Sequence, residues 1–270
     1  MKIKSKVNPQ STLFFLLVLL LFFSLFNGCS KKNTGRKYPG QIKPGSAEYI
    51  LNEGIFYLNT GNLNMAEKKL LRALKKKPTL VAAINGLGIV YLNKREFPKA
   101  IKYFKQVIQI NPKHYDAYNY LGVIYTETGK YEMAKENLLV AANAEKYRTP
   151  ENALVNLAQL EIRQKKFQAA RRYVEKGLDK NYRFAPLHNL KGIVLENQQD
   201  YEGAVIAYKE ALSLLTEEDV TYLINIGRVY IKMGKRNQAL DVLERALSKA
   251  FSPQQKVKIR EMLKDIEKIK

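Results

Sequence analysis

A pattern 34 residues long recurs through most of this chain, and its clearest copy is residues 81–114, VAAINGLGIVYLNKREFPKAIKYFKQVIQINPKH. Ile84, Leu87, Gly88 and Tyr91 fall at helical spacing. A short polar break follows, and then Ala100, Phe104 and Val107 fall at helical spacing again. Asn111 and Pro112 close the second run, because proline has no N–H and clashes with the preceding turn. Two helices joined by a tight turn make an antiparallel hairpin. One hairpin of this size cannot bury its apolar face alone, so it requires copies of itself on either side.

The copies are present. Residues 47–80 supply Ile50, Gly54, Tyr57, Ala66, Leu70 and Ala73, and residues 115–148 supply Tyr118, Leu121, Gly122, Tyr125, Ala134, Leu138 and Ala141. Residues 151–184 supply Leu154, Leu157, Ala158, Ala170 and Val174; residues 185–218 supply His188, Gly192, Leu195, Ala204, Tyr208 and Ala211. Residues 220–253 supply Leu223, Ile226, Gly227, Tyr230, Ala239, Leu243 and Ala246. Glycine or alanine at the eighth position and alanine at the twentieth let the two helices approach closely, while large residues fill the gaps between neighbours. Thr149-Pro150 and Asp219 break the register. Glu161, Gly177 and Lys191 depart from the pattern.

These residues resemble the tetratricopeptide repeat. The resemblance implies an all-α, right-handed superhelical solenoid of about six helix-turn-helix repeats over residues 47–253. Residues 254–270 carry Val257, Ile259, Met262, Leu263, Ile266 and Ile269 on one face and charges on the other, which suits the polar cap a repeat array needs. A partner-binding helix is the alternative reading.

At the N-terminus, Lys2, Lys4 and Lys6 precede an apolar run over residues 13–26, then Asn27, Gly28 and Cys29. That order reads as an export signal over residues 1–28. The run is about 14 residues, short of the ~20 a spanning helix needs; an uncleaved anchor is the competing reading. Cys29 is the single cysteine, so no intrachain disulfide forms. Its setting resembles the lipobox of bacterial lipoproteins, with Phe26 where leucine is usual. The resemblance implies an acylated Cys29 as first residue of the mature chain, and Ser30 is compatible with transfer to an outer membrane. Residues 29–46 then form the acylated cysteine and a Gly- and Pro-containing tether, reaching at most ~60 Å and about 20–25 Å on average. Its lysines and arginines would meet anionic headgroups.

The net charge is +21, and residues 1–28 carry three lysines and no acid, leaving +18 without them. The basic residues are spread through every repeat and few aromatics are interleaved for base stacking. The balance therefore reads as solvated outer helix faces, with nucleic acid not expected and an anionic polymer as a lesser alternative.

Nothing in the sequence carries catalysis. The two histidines, His114 and His188, fall in an inter-repeat turn and at an aromatic position of the repeat, where both read as structural. Gly86-Leu87-Gly88 lies inside a helix, not after a strand, so it is no dinucleotide fingerprint. No enzyme activity, cofactor or metal is expected.

The tetratricopeptide resemblance implies that first helices line a concave groove through positions two, five, nine and twelve. Those positions give a protein-binding groove of Leu51, Ile55, Asn85, Ile89, Leu92, Asn119 and Val123, extended by Leu58, Thr126, Gln159, Ile162, Asn189, Ile193, Glu196, Arg228 and Ile231. Asparagine amides can hold an extended backbone through donor and acceptor together; the alternative reading is that asparagine is simply common at these positions of the repeat. Exposed apolar grooves mark binding sites. A lipobox, a tether and about six repeats, with the stretch over residues 144–157, resemble the type IV pilus biogenesis lipoproteins. That resemblance implies a pilotin: an outer-membrane lipoprotein facing the periplasm that binds a secretin subunit, or its C-terminal segment. A scaffold for another envelope assembly or export system is the alternative, and a basic binder of an anionic polymer the second. Salt separates the last, since polymer binding weakens steeply as salt rises.

Overall fold

The computed structural model describes residues 42–267. Cys29, the signal segment and most of the tether lie outside the described residues, as does Ile269. Helices α1 (Ala47–Asn59) and α2 (Leu63–Lys76) form the first hairpin, α3 (Val81–Asn93) and α4 (Phe97–Ile110) the second, and α5 (Tyr115–Glu127) and α6 (Tyr131–Ala142) the third. α7 (Pro150–Arg163) pairs with α8 (Phe167–Lys180), α9 (Ala185–Asn197) with α10 (Tyr201–Ser213), and α11 (Val220–Lys232) with α12 (Arg236–Lys249). α13 (Pro253–Ile266) packs on α12 and α11. The described residues thus form the all-helical solenoid that the repeats imply. Each second helix also packs on the first helix of the next repeat, and several first helices touch their successors directly. Among the described residues no helix is long and apolar enough to cross a membrane.

Local signals explain where the helices begin and end. Ser46 Oγ accepts from Tyr49 N at 3.1 Å, and Asp219 Oδ1 accepts from Thr221 N at 2.7 Å, both capping orphan donors of a first turn. Pro98, Pro150, Pro186 and Pro253 occupy the first turns of α4, α7, α9 and α13, where a missing N–H costs nothing. Each hairpin turn carries one residue at positive φ, in order Gly61, Arg95, Gly129, Lys165, Gln199 and Gly234. The next N–H then bonds back to the carbonyl five residues earlier, as Asn62 N does to Tyr57 O at 2.9 Å and Lys235 N to Tyr230 O at 2.9 Å. This closes the first helix and turns the chain into the second.

The hairpins interlock through small residues. The twentieth-position alanines, Ala66, Ala100, Ala134, Ala170, Ala204 and Ala239, are fully buried. The eighth-position glycine faces the large side chain sixteen residues on. A Cβ on Gly88 would lie 2.6 Å from Phe104, one on Gly122 2.4 Å from Leu138, and one on Gly192 2.5 Å from Tyr208. The fourth repeat has Ala158 there, facing the smaller Val174. Gly177, a departure in the sequence, makes room for Leu187, which a Cβ would meet at 2.7 Å.

Two departures have structural consequences. α6 stops at Ala142, and the chain over residues 143–149 is pinned by Tyr147, which is buried and donates its hydroxyl to Asp116 Oδ1 at 2.9 Å. Lys191 is exposed where Leu87, Leu121, Leu157 and Ile226 are buried, and beside it a cavity of about 140 Å³ opens over Val174, Leu178, Val194 and Leu195. In α13, Ile259 and Ile266 are buried, Met262 and Leu263 are half-buried, and Val257 is exposed. The helix begins one residue before the expected start, at Pro253.

Candidate protein-binding groove

The first helices α1, α3, α5, α7, α9 and α11 carry the expected groove residues, and their exposure divides by position. Ile55, Ile89, Leu92 and Val123, at positions nine and twelve, are half-buried. Ile55, Leu58, Ile89 and Leu92 pack their inner sides on the core, leaving an aliphatic strip partly open to solvent. Position five is different. Leu51 is 8% exposed and belongs to the core, and Asn119 is 9% exposed. The cause is the direct contact between successive first helices, α1 with α3 and α5 with α7, which puts position five in the seam. Leu51 and Asn119 are therefore corrected from open groove residues to seam residues.

The asparagines are held by one another instead of standing free. Asn156 Nδ2 donates to Asn119 Oδ1 at 2.9 Å, and Asn225 Nδ2 donates to Asn189 Oδ1 at 2.9 Å. Each pair bridges adjacent first helices. Asn85 is half-buried, and among the described residues its Oδ1, shut off from solvent, has no hydrogen-bond partner. An unsatisfied buried acceptor is costly and calls for a donor. Val123 lines a cavity of about 70 Å³ with Thr126, Asn156, Gln159 and Arg163. Arg163 Nη2 reaches across to Glu127 Oε1 at 2.8 Å and closes one side.

Toward the rear the groove becomes charged and self-satisfied. Glu196 is 5% exposed, and accepts from Arg228 at 2.7 and 2.8 Å, from Lys232 at 2.9 Å and from the Tyr208 hydroxyl at 2.9 Å. Burial pushes this carboxyl upward, but the hydrogen bonds from Arg228 and Lys232, with the Arg228 charge and the Tyr208 hydroxyl, outweigh it and hold it at about 2. Burial and the neighbouring carboxylate push the Tyr208 hydroxyl up. A second buried acid, Glu161, is 1% exposed and pairs with Lys135 at 2.8 Å. In the sequence Glu161 stands out as a departure from the repeat, whereas the role of Arg228 has one signal: an opposite charge near one repeat's separation. His188 is buried, and its ring Nε2 donates to Tyr182 O at 2.6 Å. Among the described residues no group of three or more His, Cys, Asp or Glu is placed to hold a metal.

A stacked array of helical hairpins, with a partly apolar strip along its first helices, defines a repeat scaffold. Tetratricopeptide-repeat family models match residues 81–114, 103–136, 155–218 and 223–257, which together exceed half of the chain. The chain belongs to the tetratricopeptide-repeat family. No curated protein sequence matches it. Among solved structures it is similar to pilF of Pseudomonas aeruginosa, with 20% identity, TM-score 0.67, and coverage of 80% of this chain and 96% of that one. It is similar also to PilW, described as a widely conserved type IV pilus biogenesis factor, at 17% identity and TM-score 0.69, covering 78% and 97%. The Cut9–Hcn1 assembly of the APC/C matches at 19% identity and TM-score 0.69, covering 81% of this chain and 43% of that one. At these identities the likeness is one of fold.

Proposed function

We propose that this protein is an envelope lipoprotein, anchored through Cys29, whose front groove receives a short segment of a protein partner. The occupant we favour is the C-terminal segment of an outer-membrane secretin subunit, as in a pilotin of type IV pilus biogenesis. The observation that carries the reading is the half-buried strip of Ile55, Leu58, Ile89 and Leu92. These side chains have aliphatic surface left to bury, beside the half-buried Asn85. Burying a few aliphatic side chains contributes ~1.5–3 kcal/mol each, enough for micromolar affinity after ordering costs. The likeness to PilW, a type IV pilus biogenesis factor, over 97% of that chain supports the same direction.

The test has two parts. Titration of the chain with a peptide of the secretin C-terminus, from the same cell, should give micromolar binding that persists at raised salt. An absence of binding in the hundreds of micromolar rejects the secretin partner. Cys29→Ser should abolish incorporation of labelled fatty acid and release the protein from the membrane fraction. Continued labelling of that variant rejects the anchor.

A further inference from the structure

The turn that the register break after the third repeat lengthens builds a pocket that the groove reading does not use. Two inter-repeat turns lie side by side there, one ending at His114 and the other running through Lys146, Tyr147 and Arg148 to Thr149. The space between them is a shallow, widely open depression of about 430 Å³. Tyr147 is the anchor. It is buried, its ring lies 6.0 Å from that of Tyr115, and its hydroxyl bonds to Asp116 Oδ1. Lys146 and Arg148 flank this anchor and are both exposed. The turn that carries them is thus held in place before any ligand arrives.

The charge of the lining is one-sided. Lys113, Lys146 and Arg148 face one carboxylate, Asp116, which already accepts from Tyr147. Among the described residues none of the three cations is paired with an acid, and a single preformed lining gathers all three. His114 lines the same space.

We infer that this pocket is a second binding site, distinct from the groove, that takes an acidic peptide segment through at least two carboxylates. The volume exceeds what a single small anion fills, and three cations line it. Both features suit carboxylates carried on successive side chains of a peptide. Neutralising unpaired cations on a preformed turn gives charge complementarity at little ordering cost. The site does not depend on the identity of the groove's occupant.

The test uses the full chain and a fluorescein-labelled hexaglutamate peptide, read by anisotropy at low salt. Lys146→Glu combined with Arg148→Glu should weaken binding about tenfold or more. A charge-matched control, Lys68→Glu with Arg72→Glu on the exposed face of α2, should weaken it by roughly twofold or less. Both pairs are solvent-exposed, so melting temperatures should stay close to wild type. The milder Lys146→Gln with Arg148→Gln serves if the reversal unfolds the turn, and should still weaken binding more than the control. Equal losses in the test and control variants would show diffuse attraction to a basic protein and overturn the site. Vesicles of phosphatidylcholine with phosphatidylglycerol form the second arm. If the Lys146 and Arg148 reversal abolishes vesicle binding and leaves the peptide bound, the pocket reads lipid headgroups and the proposal is wrong.

Discussion

Arg228 reaches back across one repeat to Glu196, placing Nε 2.8 Å and Nη2 2.7 Å from its two carboxylate oxygens. This fork ties α11 to α9, and Tyr208 of α10 joins it through the same carboxylate. Repeats five and six are therefore stitched by a buried polar cluster as well as by apolar packing. A buried pair of this kind is no proof of high stability, but removing one partner strands the other.

The sign of its pH dependence follows from the carboxyl held at about 2 against its ordinary value of 4.5. A depressed acid contributes stability above its unfolded value and loses it as pH falls toward the folded one. Wild type should therefore lose on the order of 3 kcal/mol from this group between about pH 4.5 and 2. Glu196→Gln should melt lower at neutral pH and show a flatter decline below pH 5. Parallel wild-type and variant curves across that window would falsify the assignment.

Glycine and its facing side chain are matched in size along the array. Where position eight is glycine, the residue sixteen on is Leu70, Phe104, Leu138, Tyr208 or Leu243; where it is Ala158, that residue is Val174. Gly122→Ala should cost roughly 1–3 kcal/mol, since its Cβ would meet Leu138 at 2.4 Å. Adding Leu138→Val copies the fourth repeat and should recover part of that loss. Chemical denaturation of the two single variants and the double gives the coupling. Additive losses would mean that the two residues do not share one space.

The hairpin turns offer a stabilising change. Lys165 holds a φ of 59°, where the equivalent Gly61, Gly129 and Gly234 sit at 69–75°. A side chain in this region costs ~1–2 kcal/mol, against which glycine's extra unfolded-state freedom offsets ~0.5–1 kcal/mol. Lys165→Gly should raise the melting temperature by a few degrees at most. Gly129→Ala should lower it by a similar amount, with strain as its cause, because the space around that Cβ is empty.

The fold is legible in the sequence because the helical spacing recurs in every copy, even though only three of the six hairpin turns carry glycine. Alanine at position twenty of all six copies places the hairpins without any tertiary knowledge. The groove is less legible. Helical spacing puts positions five, nine and twelve on one face of a helix, but it does not say how close the next first helix stands. That closeness buries Leu51 and Asn119 and leaves Ile89 half-open. The asparagine pairs are hidden for a related reason. Asn119 and Asn156 are 37 residues apart, and Asn189 and Asn225 are 36 apart, because the register breaks add residues between them and the second partner stands at position six, not five. A search at the regular period of 34 misses both. Glu196 and Arg228 look like interruptions of an apolar run when read singly, and become a pair when read one repeat apart.

The division between seam and strip gives the sharpest test of the groove. Leu51→Asp would bury a charge in the apolar core cluster and should cost roughly 3 kcal/mol or more. Ile89→Asp should behave differently. Ile89 is half-buried, so its aspartate can turn its carboxylate toward solvent, and the melting temperature should fall by a few degrees at most. Binding of the secretin peptide should nonetheless weaken about tenfold or more, since the lost contact lies at the middle of the aliphatic strip. Calorimetric melting and peptide titration on the two variants separate the roles. If Ile89→Asp unfolds the array as Leu51→Asp does, the strip is core and the groove needs another floor. If Ile89→Asp melts normally and binds the peptide as wild type does, the strip is surface without a partner there, and the front groove is the wrong receiving surface.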